Sequence, residues 1–379
     1  MDEVEHYNAQ QAAGKGDHRL DAVQQDIAQF EQQRRGQAQF NAEFEVRNKR
    51  QYEAGYQALA EMLTGQRAEN LPLAVFIVEN SYSAGSLNFT TFKTDLENLA
   101  KMCRGLAGAN GSQAARFMAL HQLMTDTVRV GYAGKVVSKH QPYRYDFNDF
   151  WGRDDYTKMF VTKLLQTNSG QCHSLPLLYK MLADQLGIRS SISMAPNHSY
   201  IQVVGPDSEL YSYETTNGHF TTDAFYMTTG YVKTAALKAR AYLDTLTLYQ
   251  TIAYQVSDLA LGYAHYYGND DFTEKCAALA MKYYPQSIQA RIILHNSALA
   301  RFARAYQAAG SPSKEQSMQL PALQPLWTEV QRWQQALDAV GYEEIPQALY
   351  ARWLKSAEDE KHRQESRQAT ARFAQSAAK

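Results

Sequence analysis

The sequence predicts an α+β fold: a cysteine-bearing helix packed on a small antiparallel sheet, embedded in a mostly helical chain. Three observations carry that expectation. Leu175, Leu178, Met181, Leu182 and Leu186 recur at spacings of three and four, one buried helix face opening just after Cys172. Behind it, residues 189–194, 198–204 and 210–214 read as short strands, with Gly205-Pro206-Asp207-Ser208 as the turn between the last two. Most of the remaining chain keeps helical spacing.

At 379 residues the chain has room for two or three domains, or for one large domain with helical extensions. Its composition divides it into an N-terminal helical arm (1–70), a core around the cysteine (71–240), a helical region (241–310) and a C-terminal helical segment with a polar tail (311–379). Residues 1–68 are rich in Gln, Ala, Glu and Arg, with Ile27, Phe30, Phe40, Phe44 and Tyr56 as scattered anchors. They read as one or two long helices that pack on the core or mediate oligomerisation, with a mobile segment before residue 19. A functional lid is the alternative. The apolar run 71–78 is a buried strand or a buried helix, because periodicity alone does not separate the two. Residues 94–104 form an amphipathic helix that places Cys103 in the core, and 114–128 continue the helical pattern. Residues 139–156 are aromatic, charged and without period, a loop that either walls a substrate site or is pinned to the core by its rings.

After residue 214 a Thr-rich stretch leads into helices at 249–267 and 272–284. Gly268-Asn269-Asp270 breaks them and Pro285 stops the second. The pair loosely resembles one tetratricopeptide-like unit. Two or more helices follow to residue 310. A last helical segment carries Trp327, Trp333, Leu337 and Trp353, whose tryptophans are expected to pack helices together, and a polar tail begins near residue 358.

The chemistry concentrates at Thr167-Asn168-Ser169-Gly170-Gln171-Cys172-His173-Ser174. Asn168 and Ser169 are capping residue types, Gly187 is a natural helix stop, and Cys172 falls on the first turn, where free N–H groups favour a thiolate. Pro176 makes that turn irregular or delays the regular helix to Ser174. His198 opens the second strand, and Glu214 closes the third; symmetric pairing about the 205–208 turn puts residue 214 or 215 opposite the histidine. Thiol, imidazole and carboxylate then form a nucleophile, a base and an orienting group. Asp207 in the turn is the competing acid. His173 and His219 are expected to be exposed or substrate-facing.

Gly170-Gln171-Cys172 resembles the Gly-Gln-Cys signature of the transglutaminases. The order of cysteine helix, histidine strand and acid strand is similar to the wider transglutaminase-like, papain-related superfamily over residues 140–225. The resemblance implies a Cys172–His198–Glu214 triad and an oxyanion held by the Cys172 backbone N–H and one side chain, with Gln171, Asn168 and Trp151 as candidates. Glu214 stands where the family usually has Asp, and His173 where animal members often have an aromatic. The implied activity is thiol-dependent acyl transfer or hydrolysis at peptide or protein amide bonds. The alternative is a non-catalytic relative whose groove binds a peptide or glycan.

The formal charge of −1 gives no electrostatic reason to expect nucleic acid. No apolar run approaches the roughly 20 residues of a membrane span. Cys103, Cys172 and Cys276 are too widely spaced for a disulfide framework or a zinc ribbon, and no cofactor or metal is expected. The polar start Met1-Asp2-Glu3-Val4-Glu5-His6 lacks the basic and apolar pattern of a leader, as a chain would after its leader had been removed. Bacterial proteins of this resemblance are commonly exported, so the expected location is the cell envelope with the leader removed; the cytoplasm is the alternative.

Overall fold

The computed structural model describes residues 42–342, apart from 109, 133, 134, 148, 150, 151, 153, 206, 230, 231 and 318, together with residue 355. The expectations for residues 1–41, for Trp151 and for Trp353 with the tail lie outside the described residues. The described chain is α+β and mostly helical, with small antiparallel sheets.

Helices α1 (Ala42–Leu63) and α2 (Leu71–Tyr82) open the described chain. The run 71–78 resolves as helix because Asn70 accepts the Leu73 N–H at 2.9 Å and Pro72 falls in the first turn, where its missing donor costs nothing. Gly55 lets the two helices lie close, since a Cβ there would stand 2.6 Å from Ser81 Oγ. Helices α3 (Phe89–Ala107) and α4 (Gln113–Thr125), capped by Asn88 and Ser112, follow. The sequence pattern ran α4 on to residue 128. Instead Val128–Tyr132 (β1) and Lys135–His140 (β2) pair as an antiparallel ribbon, as the β-branched Val128, Val130, Val136 and Val137 favour.

The loop at 139–156 is partly tied down. Arg144–Tyr145 (β3) pairs in parallel with Ser169–Gly170 (β4), on either side of α5 (Val161–Thr167). Helix α6 (Ser174–Leu186) then carries the apolar face read from the sequence. Its Leu175, Leu178, Met181 and Leu182 are buried against Leu96, Leu99 and Cys103 of α3 and Leu120 and Leu123 of α4. Each such side chain contributes about 1.5–3 kcal/mol by leaving water.

The main sheet is antiparallel in the order β5 (Ser190–Ala195), β6 (His198–Val204), β7 (Leu210–Glu214), β8 (His219–Thr221). Strand β8 arises from the Thr-rich stretch and was not foreseen. The β6–β7 ladder pairs Ile201 with Tyr213 and Val204 with Leu210, so its register differs from the expected one. Carried forward, that register sets Glu214 opposite Tyr200 rather than His198. The slip is even, so Glu214 keeps the same face of the sheet and reaches the histidine diagonally.

Short helices α7 (Asp223–Thr229) and α8 (Thr234–Lys238) lead to α9 (Leu248–Tyr267), α10 (Asp271–Tyr283) and α11 (Ile288–Ala308). A single helix thus fills 288–308, where two or more were expected. After α12 (Lys314–Ser317), α13 (Gln324–Ala339) returns along α11; Trp327 packs on Phe302 at 5.3 Å. A second core joins Tyr52, Leu59 and Met62 of α1 to Ala74 and Val78 of α2, to Ile252, Val256 and Leu259 of α9, and to Cys276 and Ala280 of α10. Helix α1 and the helices after residue 248 therefore share one core, although nearly 200 residues separate them in the chain. Where this second core meets the first, His173 lies against Tyr254 and Asp258 of α9.

Candidate active site

Cys172 sits in a tight crossing between β4 and α6. Asn168 ends α5 in the left-handed conformation, φ 54°, and its Nδ2 donates to the Gln141 carbonyl at 3.0 Å. It therefore caps the preceding helix, not the cysteine helix. Gly170 is required by closeness, because a Cβ there would lie 2.5 Å from Ser174 Oγ. The Ser174 hydroxyl accepts the Gln171 N–H at 3.0 Å, and regular helix begins at Ser174, as Pro176 demands. Cys172 is thus held two residues ahead of the regular helix. Its carbonyl accepts the Ser199 hydroxyl at 2.5 Å, which fastens the cysteine turn to β6.

His198 begins β6 directly after the two-residue turn Pro196-Asn197. Proline fixes φ at the first turn position and Asn197 takes φ 54° at the second, the demand of a type II turn. The imidazole Nε2 lies 2.6 Å from Glu214 Oε2. That carboxylate also accepts the Tyr226 hydroxyl at 3.0 Å, the Thr216 N–H at 3.2 Å and the Thr216 hydroxyl at 2.9 Å. Tyr226 of α7 lies beside the imidazole, 6.1 Å between centroids, and stacks on Tyr200 at 4.2 Å. The same imidazole lies beside the Cys172 side chain, whose Sγ donates to the Asn197 carbonyl at 3.8 Å. The structure therefore brings Cys172, His198 and Glu214 together.

Burial and the Glu214 charge would push the Cys172 thiol up; the adjacent His198 ring with its charge, and the nearby His173, outweigh them and hold the thiol below its ordinary value. Burial would lower the His198 imidazole, but the Glu214 charge, the adjacent Cys172 side chain and the Glu214 hydrogen bond raise it. Glu214 is lowered against its burial by His198 and by the Thr216 hydrogen bonds. These shifts all favour charged partners, a thiolate beside an imidazolium.

Residue 173 differs from the expectation of an exposed or substrate-facing ring. His173 Nδ1 meets the Met159 carbonyl at 2.9 Å, and Nε2 meets Asp258 Oδ2 of α9 at 2.8 Å. Asp258 is buried and also accepts Gln255 Nε2 and Gln289 Nε2, each at 2.8 Å. Burial would lower His173, yet the Asp258 charge and hydrogen bond carry it up to about 9.

Cys172, His173, Asn197 and His198 line a cavity of about 340 Å³ together with Tyr254, Asp258 and Ile288. No Lys or Arg lines it among the described residues. Glu79 of α2 also faces it, taking the Val161 and Thr162 N–H groups at 2.7 and 2.9 Å; burial raises its carboxyl to about 7.

None of the three side chains expected at an oxyanion is placed there by the described structure. Gln171 is buried with Nε2 donating to the Asp146 and Asp149 carbonyls at 3.1 and 2.8 Å, which pins the 146–149 loop. Asn168 serves the Gln141 carbonyl, and Trp151 is outside the described residues. Asp207 accepts the Tyr211 hydroxyl and the Glu209 N–H in its own turn, away from the cavity. Among the described residues no group of three His, Cys, Asp or Glu side chains is arranged to hold a metal ion, and no helix is long and apolar enough to cross a membrane.

The sequence missed Asp258 and Tyr226. A signal existed for the first, since Gln255, Ser257 and Asp258 interrupt the otherwise apolar face of α9. Compared with protein-family models, curated proteins and solved structures, the chain gives no match.

Proposed function

We propose that the chain is a thiol-dependent enzyme of acyl transfer or hydrolysis at peptide or protein amide bonds, on a transglutaminase-like core. Cys172 is the nucleophile, His198 the proton carrier and Glu214 its orienting acid. One observation carries this reading: a single buried imidazole is hydrogen-bonded to the carboxylate of residue 214 and stands beside the sulfur of residue 172 at the wall of one cavity. A structural histidine needs only one such partner, and a structural cysteine needs neither.

The chemistry follows from the geometry. The Cys172 thiolate adds to the amide carbonyl carbon, and the former π pair moves to oxygen. The Cys172 backbone N–H, which no described residue accepts, is available to that oxyanion at the foot of α6. Collapse expels the nitrogen, which takes the proton held by His198, and a thioester remains. Water or an amine then attacks the thioester, His198 takes its proton, and the thiolate leaves. Glu214 stays ionised throughout and keeps Nε2 of the imidazole engaged.

Iodoacetamide labelling across a pH series tests the reading, because Cys103 and Cys276 are buried controls in the same chain. Cys172 should alkylate well below the roughly 8.5 of a free thiol. Cys172→Ala should abolish hydrolysis of amide substrates. Labelling only at ordinary alkaline pH would reject the enzyme and leave a groove that binds without catalysis.

A further inference from the structure

We propose that His173 is a second imidazolium beside Cys172, charged at neutral pH and locked by Asp258 of the helical region, and that it favours the thiolate without exchanging protons with the substrate. This adds a positioning pair, His173 and Asp258, to the proposed triad, and makes α9 and α11 part of the site's electrostatics. The effect on sulfur rests on the nucleophile reading of Cys172; the charge on His173 does not.

The hydrogen bonds alone assign the charge. A neutral imidazole donates from one nitrogen and accepts at the other. His173 has an acceptor at each: the Met159 carbonyl at Nδ1, 2.9 Å, and Asp258 Oδ2 at Nε2, 2.8 Å. A peptide carbonyl has no proton to give. The carboxylate is already facing two amide donors, Gln255 at 2.8 Å on Oδ2 and Gln289 at 2.8 Å on Oδ1. Both ring nitrogens must therefore donate, and a ring with two N–H groups is a cation. The groups that face it from every packed element agree: Asp258 and Tyr254 of α9, Glu79 of α2, the Met159 carbonyl and Cys172 itself. None of them is a cation.

A ring bonded in this way has no lone pair for a substrate proton, so it is not a second general base. Its position follows from the chain, one residue after the nucleophile, and it lines the same cavity. Two imidazoles therefore attend one sulfur with different tasks. His198 exchanges protons, and His173 supplies a fixed positive charge. Asp258 is buried at 6% exposure, so its charge would be costly without these three donors. Their presence just ahead of α6 and on α9 and α11 makes the correct packing of the helical region a condition for an acidic thiol.

Long-range ¹H–¹⁵N spectra of the full chain, with ¹⁵N-histidine and His173 assigned through His173→Gln, read the charge directly. Both His173 nitrogens should carry protons at pH 7, in the wild type and equally in Cys172→Ala. A neutral ring at that pH would overturn the proposal. The iodoacetamide profile of Asp258→Asn reads the consequence: the Cys172 midpoint should move up by about one pH unit, and the loss should be partly restored in Asp258→Glu. If Asp258→Asn does not fold, His173→Gln serves the same comparison. An acidic wild-type thiol whose profile is unmoved by either variant would sink the electrostatic role while sparing the nucleophile. An ordinary wild-type thiol beside a charged His173 would sink the nucleophile reading and the tuning with it.

Discussion

Glu214 holds four donor contacts from three residues while nearly excluded from water, and that saturation explains why a carboxylate one methylene longer than aspartate suits this site. The extra length lets it reach His198 diagonally across the sheet and still take Thr216 two residues on. Glu214→Gln keeps the shape and removes the charge that raises the imidazole. The expected result is a fall in kcat on the order of 10²–10⁴ with KM little changed, and an alkaline limb of the pH–rate profile that moves down. Steady-state kinetics from acid to alkaline pH check both. Ser199→Ala removes the tie from β6 to the Cys172 carbonyl and should cost about 1–3 kcal/mol in urea unfolding. The closeness of Cys172, His198 and Glu214 was legible because all three fell on element ends in a workable order. The partner of His173 was not, because Asp258 lies 85 residues away in a helix whose pattern reads as core.

At the scale of elements, the Pro196-Asn197 turn aims the base. A β-branched residue resists positive φ, whereas Gly accepts it freely. Asn197→Val should therefore cost about 1–2 kcal/mol and raise the alkylation midpoint of Cys172, while Asn197→Gly should leave both close to wild type. Equilibrium unfolding paired with the labelling profile separates the two variants. Helix α6 and the strands β5–β7 were readable from period alone, with β6 and β7 bounded at the residues where the pattern began and ended. Register was not, since a hairpin's symmetry estimate carries an error of a residue or two, and only an even slip spares the face. The β1–β2 ribbon escaped notice because Val128–Tyr132 follows a helix without a Pro or Gly break. The helical nature of 71–78 was undecided until its Asn70 cap was seen in place.

At the scale of the whole molecule, the cavity exists because two cores meet, and the charges at their junction make stability depend on pH. His173 is raised from 6.5 to about 9. The folded state holds that proton more tightly than the unfolded chain, so its contribution is complete below about 6.5 and disappears as pH rises through about 9. The amount is about 3 kcal/mol, and Asp258→Asn should flatten stability against pH over this window in urea titrations. The lowered Glu214 works in the opposite sense: its contribution is present above its unfolded value and lost on acidification. Sequence reading kept the arm, the core and the helical region apart because local pattern does not reveal that α1 and α9 bury the same surface. The most direct measurement of the central claim, an ion pair between residues 172 and 198, is the ultraviolet thiolate absorbance difference between wild type and Cys172→Ala, followed through pH. The band should already be present at neutral pH and vanish only on acidification, and His198→Gln should abolish it there. A single step near the roughly 8.5 of a free thiol, unchanged in His198→Gln, would contradict the ion pair.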